Sequence, residues 1–223
     1  MSEQRRRRAN GEASRERVLD AAAQIAGERG YEGTSINLIS ERSGLPPSSI
    51  YWHFKDKDEL MAAVIDRSFV RWQEASAARR DDDPPSTSPD DEFRVGMRRV
   101  GGAIAEFPDF LRLGLMLVLE RRPQEPTARG KFLEVRAAAA ATTRAGYAAQ
   151  FADLTADDVD ALVTLTLALA DGLFVAEQAG ESSMADSFEL LATAVLGTVD
   201  RLRAERAERA DRADAEPKRP TRR

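Results

Sequence analysis

Apolar residues recur along this chain at helical spacing, and no long segment alternates like a half-buried strand. The first stripe is Val18, Leu19, Ala22, Ile25 and Ala26, with Ser14 as N-cap, Glu16 in the first turn and Gly30 just past the end. It predicts a helix that closes at Gly30. Thr34 or Ser35 caps a second, over 35–43, whose inward positions are Ile36, Ile39, Ser40 and Ser43. Gly44 supplies a positive-φ turn, and Leu45 plugs the elbow. A third helix covers about 47–54, with Pro47 at a first-turn position where its missing N–H costs nothing. A fourth begins near Lys57, runs to about residue 79, and turns Leu60, Met61, Val64, Ile65, Ser68, Phe69 and Trp72 to one side.

Residues 81–90 (DDDPPSTSPD) read as an exposed loop. Further helices are expected over 92–107, 109–121, 127–152, 157–180 and 184–206, punctuated by Pro108, Pro123 and Pro126, with Thr155 capping the fourth of them. The run 111–119 (LRLGLMLVL) is apolar nearly all round, which predicts deep burial. Beyond Leu202 the chain becomes an Ala/Arg/Glu tail that can extend the last helix a few turns but cannot bury anything. The resulting scheme is all-α: a disordered basic arm over 1–13, a three-helix domain over 14–60, a larger helical domain over 61–206, and a disordered Arg-rich tail over 207–223.

Composition narrows the function. The chain has no cysteine and one histidine, His53, so disulfide frameworks and Cys/His zinc sites are excluded and no metal or cofactor is expected. An enzyme is not expected either, because His53 lies among Tyr51, Trp52 and Phe54 at a helix end. The most apolar run, 161–170, is too short to cross a membrane, and the four N-terminal arginines precede no apolar region. A cytoplasmic protein without a membrane partner is expected. The net charge of −5 is uneven: residues 1–60 balance, 201–223 carry +4, and 61–200 carry −9. An acidic body between neutral or basic ends suits a protein that touches DNA with one end.

The stretch 34–60 carries the function. Two short helices around a Gly-centred turn form a helix-turn-helix, which presents one exposed helix to the DNA major groove. The residues Gly30-Tyr31, Thr34-Ser35, Ile36, Ile39-Ser40, Ser43-Gly44-Leu45, Ile50-Tyr51-Trp52-His53-Phe54, Lys57 and Leu60 match in register a longer pattern. It comprises a Gly-aromatic pair, two threonines, an Ala-Gly-Val turn, a Tyr-x-His-Phe helix end and a Lys-Glu-Leu start. In this the chain resembles the TetR family of transcriptional regulators. The departure is Pro46, where the family usually has a Ser or Thr cap; its loss amounts to about 1 kcal/mol.

The resemblance implies that Thr34, Ser35, Tyr51 and Lys57 face phosphates, with His53 contacting phosphate or orienting Tyr51. Pro47, Ser48, Ser49 and Trp52 are the positions expected to read sequence. The third helix carries no Arg, Asn or Gln, so bidentate base readout from it is excluded; Asn37 on the second helix reads equally as one such contact or as part of a solvated face. Arg5–Arg8 read equally as an arm for a narrow minor groove or as a solvated tail.

The resemblance also implies that residues beyond about 80 bind an effector and dimerise. Candidate pocket residues are Phe107, Phe110, Leu113, Met116, Leu117, Phe132, Tyr147, Asp171 and Phe174. Asp171, an acid in an apolar helix, is expected to pair with an arginine, to sit at a bend at Gly172, or to meet a cationic ligand. Candidate dimer residues are Leu162, Leu165, Leu169, Leu173, Phe188, Leu191, Val195, Val199 and Leu202. The expected partners are palindromic double-stranded DNA, a second copy of the chain and a small, hydrophobic effector. A repressor leads this reading. An activator, a ligand-independent regulator and a helical scaffold without an operator remain open.

Overall fold

The computed structural model describes residues 3–78, 83–120, 127–180 and 183–215, and among them every regular element is a helix. In chain order these are α1 (Glu3–Arg29), α2 (Ile36–Ser43), α3 (Pro47–His53), α4 (Lys57–Ala77), α5 (Pro89–Glu106), α6 (Asp109–Leu119), α7 (Thr127–Gln150), α8 (Ala156–Gln178) and α9 (Met184–Ala215). The chain divides into two compact units. Unit 1 is 1–79 with 102–139, and unit 2 is 80–101 with 140–223, so α5 and α7 each contribute to both.

In unit 1, α1 packs against α2, α3, α4 and α6, and α4 lies along α6. Val18, Leu19, Ile25, Ile39, Ile50, Phe54, Leu60, Met61, Val64 and Ile65 form its dry centre. Gly44, at φ 66°, ends α2, and its N–H bonds the Ser40 carbonyl. The Ser40 hydroxyl donates to the Leu45 carbonyl at 2.7 Å, and Arg17 of α1 donates to the Ser43 carbonyl at 2.6 Å. The elbow is thus tied from both sides, and Arg17 places a cation at the negative end of α2. Further along, α6 crosses α7 at Gly114, where any Cβ would overlap the Phe132 ring.

In unit 2, α8 and α9 run against each other. Phe93, Tyr147 and Phe151 form an aromatic cluster with ring centroids 5.5–5.8 Å apart. Thr155 caps α8 through a reciprocal pair with Asp158. Gly101 lies against Phe188 and the Met184 carbonyl, leaving no room for a side chain.

Several expectations are corrected. Helix α1 starts at Glu3 rather than near residue 14, because Ser14 lies inside it and donates to the Asn10 carbonyl. Helix α9 runs through the expected tail to Ala215, and α5 starts at Pro89, inside the expected loop. The 111–119 run is not buried all round: Leu111, Leu113 and Leu117 face inward, whereas Val118 and Leu119 are exposed. Residues 121–126, with Pro123 and Pro126, lie outside the described residues, as does the basic end 216–223.

Candidate DNA-reading site

The site is built by local chemistry. Ser35 has extended backbone and accepts the Leu38 N–H, which starts α2. Pro46, with no side-chain cap, enters α3 through extended backbone (φ −65°, ψ 152°), and Pro47 takes the first turn. Ile50 and Phe54 anchor α3 to the core. Asp56 then caps α4 by accepting the Glu59 N–H at 2.8 Å, while Glu59 accepts the Lys55 N–H at 2.7 Å.

What this leaves outside is the face of α3. Pro47 and Ser48 are exposed, Ser49 is half-buried, and Tyr51 and Trp52 stand 55% and 75% exposed, although both are large aromatics. Together they form an exposed aromatic patch beside a dry core. Asn37 on α2 is exposed as well. Trp52 meets His53 edge-on at 4.6 Å, and the far edge of its indole lies over Gly11 of α1. The N-terminal turns of α1 therefore flank the reading helix, with Arg8 exposed one turn before Gly11. The side chains of Arg5, Arg6 and Arg7 lie outside the described residues.

Other expected contacts are placed differently. Thr34 is 2% exposed and donates its hydroxyl to the Gly30 carbonyl at 2.8 Å, so it closes the α1–α2 turn instead of facing a phosphate. Ser35 offers a helix start rather than a free hydroxyl. Lys57 lies 4.3 Å over the Tyr31 ring, donates to the Tyr31 carbonyl at 3.1 Å and stands 3.8 Å from Glu32. Its ammonium is held at the edge of the site. His53 is half-buried; its pKa is lowered, first by burial and then by the nearby Arg15 guanidinium, which favours neutral imidazole. Arg15 itself lies 5.4 Å over the Phe54 ring. Sequence reasoning missed the serines at the elbow as hydrogen-bonding groups, and missed Gly11 as the seat of Trp52. The first was legible in the Ser-x-x-Ser-Gly spacing; the second was not, because α1 was expected to begin after it.

The expected pocket residues fall into the two units. In unit 1, Phe110, Leu113, Leu117 and Phe132 are buried, and Phe107 and Met116 are half-buried. In unit 2, Tyr147 and Phe174 are buried and Asp171 is half-buried. The Tyr147 hydroxyl bonds the Thr166 hydroxyl at 2.7 Å, and burial pushes its pKa up to about 12. Helix α8 runs unbroken through Gly172. Of the expected dimer residues, Leu162, Phe188, Leu191, Val195 and Val199 are at most 1% exposed within a single chain. They are core residues of unit 2, and only Leu165, Leu169, Leu173 and Leu202 remain half-exposed. The outward rows are instead Ala161, Thr164, Ala168, Gly172 and Val175 on α8, and Leu190, Ala194 and Gly197 on α9. Helix α8 is long and apolar enough to cross a membrane, unlike the ten-residue run inside it, but it is paired with α9.

Among the described residues no group of His, Asp or Glu is placed to hold a metal ion. Comparison with known proteins agrees with the geometry. The sequence model of the bacterial regulatory proteins, tetR family, matches residues 18–64, the segment that holds the elbow and α3. The HTH-type transcriptional regulator AcrR of Shigella flexneri is 31% identical over 64 residues, 29% of this chain and 30% of that protein. An HTH-type transcriptional repressor of Mycobacterium tuberculosis is 31% identical over 68 residues, 30% of this chain and 26% of that protein. The matched segment thus spans under a third of these curated relatives. Solved structures extend the likeness in fold. A TetR-like regulator from Rhodococcus sp. RHA1 superposes with a TM-score of 0.60 at 21% identity, covering 82% of this chain and 96% of the other. The fatty acid degradation regulator FadR of Bacillus halodurans does so at 0.62 and 14% identity, covering 82% and 94%. The elbow, the exposed α3 and the all-helical fold thus agree: residues 18–64 match the tetR-family segment of bacterial regulatory proteins, and the chain shares the fold of solved TetR-like regulators.

Proposed function

We propose that this protein is a homodimeric repressor that binds a palindromic DNA operator through α3 and is released from it by a small, hydrophobic effector. The observation that carries the DNA-binding part is the outward aromatic and hydroxyl face of α3, with Trp52 three-quarters exposed beside a fully buried Ile50. Ser48, Ser49, Tyr51 and Trp52 offer hydroxyls, an indole N–H and ring edges to phosphates and base edges, and Pro47 offers an apolar contact to a thymine methyl. Asn37 adds one bidentate group, and the N-terminus of α2 at Ser35 favours a phosphate. His53, Lys57 and Arg8 border the face. Without arginine on α3, discrimination rests on several modest contacts and on DNA shape.

A dimer is supported by α8. Only 28% of its most apolar window is buried within one chain, and its outward row is uncharged and small. Two copies laid along α8 and α9 would cover that surface and present two α3 helices to a palindrome. Leu165, Leu169, Leu173 and Leu202 border this contact. The effector reading rests on the aromatic and aliphatic residues of the larger body, with Phe107, Phe110, Leu113, Met116, Leu117 and Phe132 in unit 1 and Tyr147, Asp171 and Phe174 in unit 2. The cell compartment that follows is the cytoplasm.

Selection of bound fragments from random and genomic DNA at near-physiological salt tests the reading. Recovery of one palindrome, bound by two chains and lost by Trp52→Ala, is expected. Sequence-independent, salt-sensitive binding alone would overturn it. In sedimentation, Gly172→Arg or Ala194→Arg should convert dimer to folded monomer; an unchanged sedimentation coefficient would remove α8 and α9 from the interface.

A further inference from the structure

Unit 1 contains an aromatic cluster that the reading head does not use. Phe69 and Trp72 of α4 stack at 5.4 Å, and Phe110 of α6 meets them at 5.6 and 5.4 Å. Beside it, α4 handles its buried polar groups in two ways. Ser68 is fully satisfied: it donates to the Phe107 carbonyl and accepts the Phe110 N–H, both at 3.1 Å. Trp72 Nε1 and Ser76 Oγ, one and two turns further, are shielded from solvent and have no hydrogen-bond partner. Residues four apart share one side of a helix, so the two groups look the same way.

A buried donor without an acceptor is costly, and native structures keep few of them without a reason. Here two lie one turn apart on α4, the first of them on one of three clustered aromatic rings. We propose that the indole N–H of Trp72 and the hydroxyl of Ser76 are the polar anchors of an effector site in unit 1, taking a neutral acceptor oxygen carried on a flat, apolar or aromatic molecule. This rests on the ligand-responsive reading above. The oxygen is a carbonyl or ether, not a carboxylate or phosphate, because two uncharged donors cannot replace the water around a full negative charge. The flat body follows from Phe69, Trp72 and Phe110, whose faces and edges favour another ring. In this arrangement Phe110 is a ligand contact, and Trp72, which the sequence pattern places on the inward side of α4, and Ser76 one turn beyond it are what orient the ligand.

The full-length protein can be titrated with two probes of similar size, 2-acetylnaphthalene and 2-isopropylnaphthalene, of which only the first carries an acceptor oxygen. The acetyl probe should bind about tenfold tighter or better, and Ser76→Ala and Trp72→Phe should each weaken it about fivefold while leaving the ratio of the isopropyl probe within about twofold. Without ligand, Ser76→Ala should melt at the same temperature as the parent or higher, since it removes an unpaired group. Equal affinity for the two probes, binding of neither, or a lowered melting temperature in ligand-free Ser76→Ala would each overturn the assignment; the last would mean that a structural water satisfies the hydroxyl. Operator affinity measured in the same titrations separates the two readings. Tight, anchor-dependent binding of the acetyl probe with no loss of DNA would leave the anchors standing and sink release by ligand.

Discussion

At Gly114 the absence of a side chain is what allows α6 and α7 to meet, because the Phe132 ring occupies the space a Cβ would need. Gly114→Ala should therefore lose about 1–3 kcal/mol by overpacking, even though alanine is the better helix former. Chemical denaturation reads this directly, and an unchanged midpoint would show that α7 can withdraw freely. His53 makes a second prediction at this scale. Its pKa is lowered by burial and by Arg15, so the unfolded chain takes up a proton at higher pH than the folded one. The stabilisation is complete above the ordinary histidine value of about 6.5 and declines as pH falls through the lower folded value. Relative to His53→Gln, the parent should lose melting temperature between about pH 7 and pH 5. A parent curve that stays parallel to the variant's throughout would contradict this.

Among elements, the link between α4 and α7 is the least expected. Asp58, in the first turn of α4, accepts the backbone N–H groups of Thr127 and Ala128 and the Tyr31 hydroxyl, the latter at 2.9 Å. One helix thus supplies the N-terminal cap of another, and the same carboxylate holds the ring on which Lys57 rests. Asp58→Ala should lower stability by about 0.5–2 kcal/mol, the scale of a lost cap, and Tyr31→Phe by less. Slower amide exchange at Thr127 and Ala128 in the parent than in Asp58→Ala would locate the effect; equal exchange would refute it. Helix boundaries set by proline, glycine and hydroxyl caps were legible in the sequence, as Ser35, Gly44, Pro47, Gly30 and Thr155 show. This cap was not, because its partners lie far apart in the chain. How far α9 extends was not legible, for another reason. It buries little, and is supported by i,i+4 pairs from Arg201 to Glu205, Glu205 to Arg209 and Glu208 to Arg212, which a hydrophobic pattern does not register. The exposed face of α3 was legible because Ile50 and Phe54 leave only one side for Tyr51 and Trp52. Thr34 was misplaced because a threonine before a helix can turn to solvent or back to the preceding carbonyl.

In the whole molecule, the C-terminal half of α9 is fastened by charge. Arg203 grips Asp153 with two bonds of 2.8 Å, and this pairing lowers the Asp153 pKa to about 2. Because the folded value lies below the ordinary one, the contribution is present above about pH 4 and is lost as pH falls toward 2. Carboxyl NMR should find Asp153 titrating near that value in the parent and near its ordinary value in Arg203→Ala; the same midpoint in both would dissolve the pairing. The division into two units has its own consequence. Unit 1 is not a continuous stretch, since α6 and the first half of α7 return to it after 80–101 has left. Reading heads in this architecture are therefore poor cassettes. A single crossover after residue 79 would graft α1–α4 without the α6 residues that cover α4, uncovering Phe69 and separating Asp58 from Thr127. A hybrid regulator that exchanges unit 1 alone needs three junctions, one after residue 79, one in α5 and one in α7, so specificity should evolve by substitution on α3 more readily than by exchange of whole units.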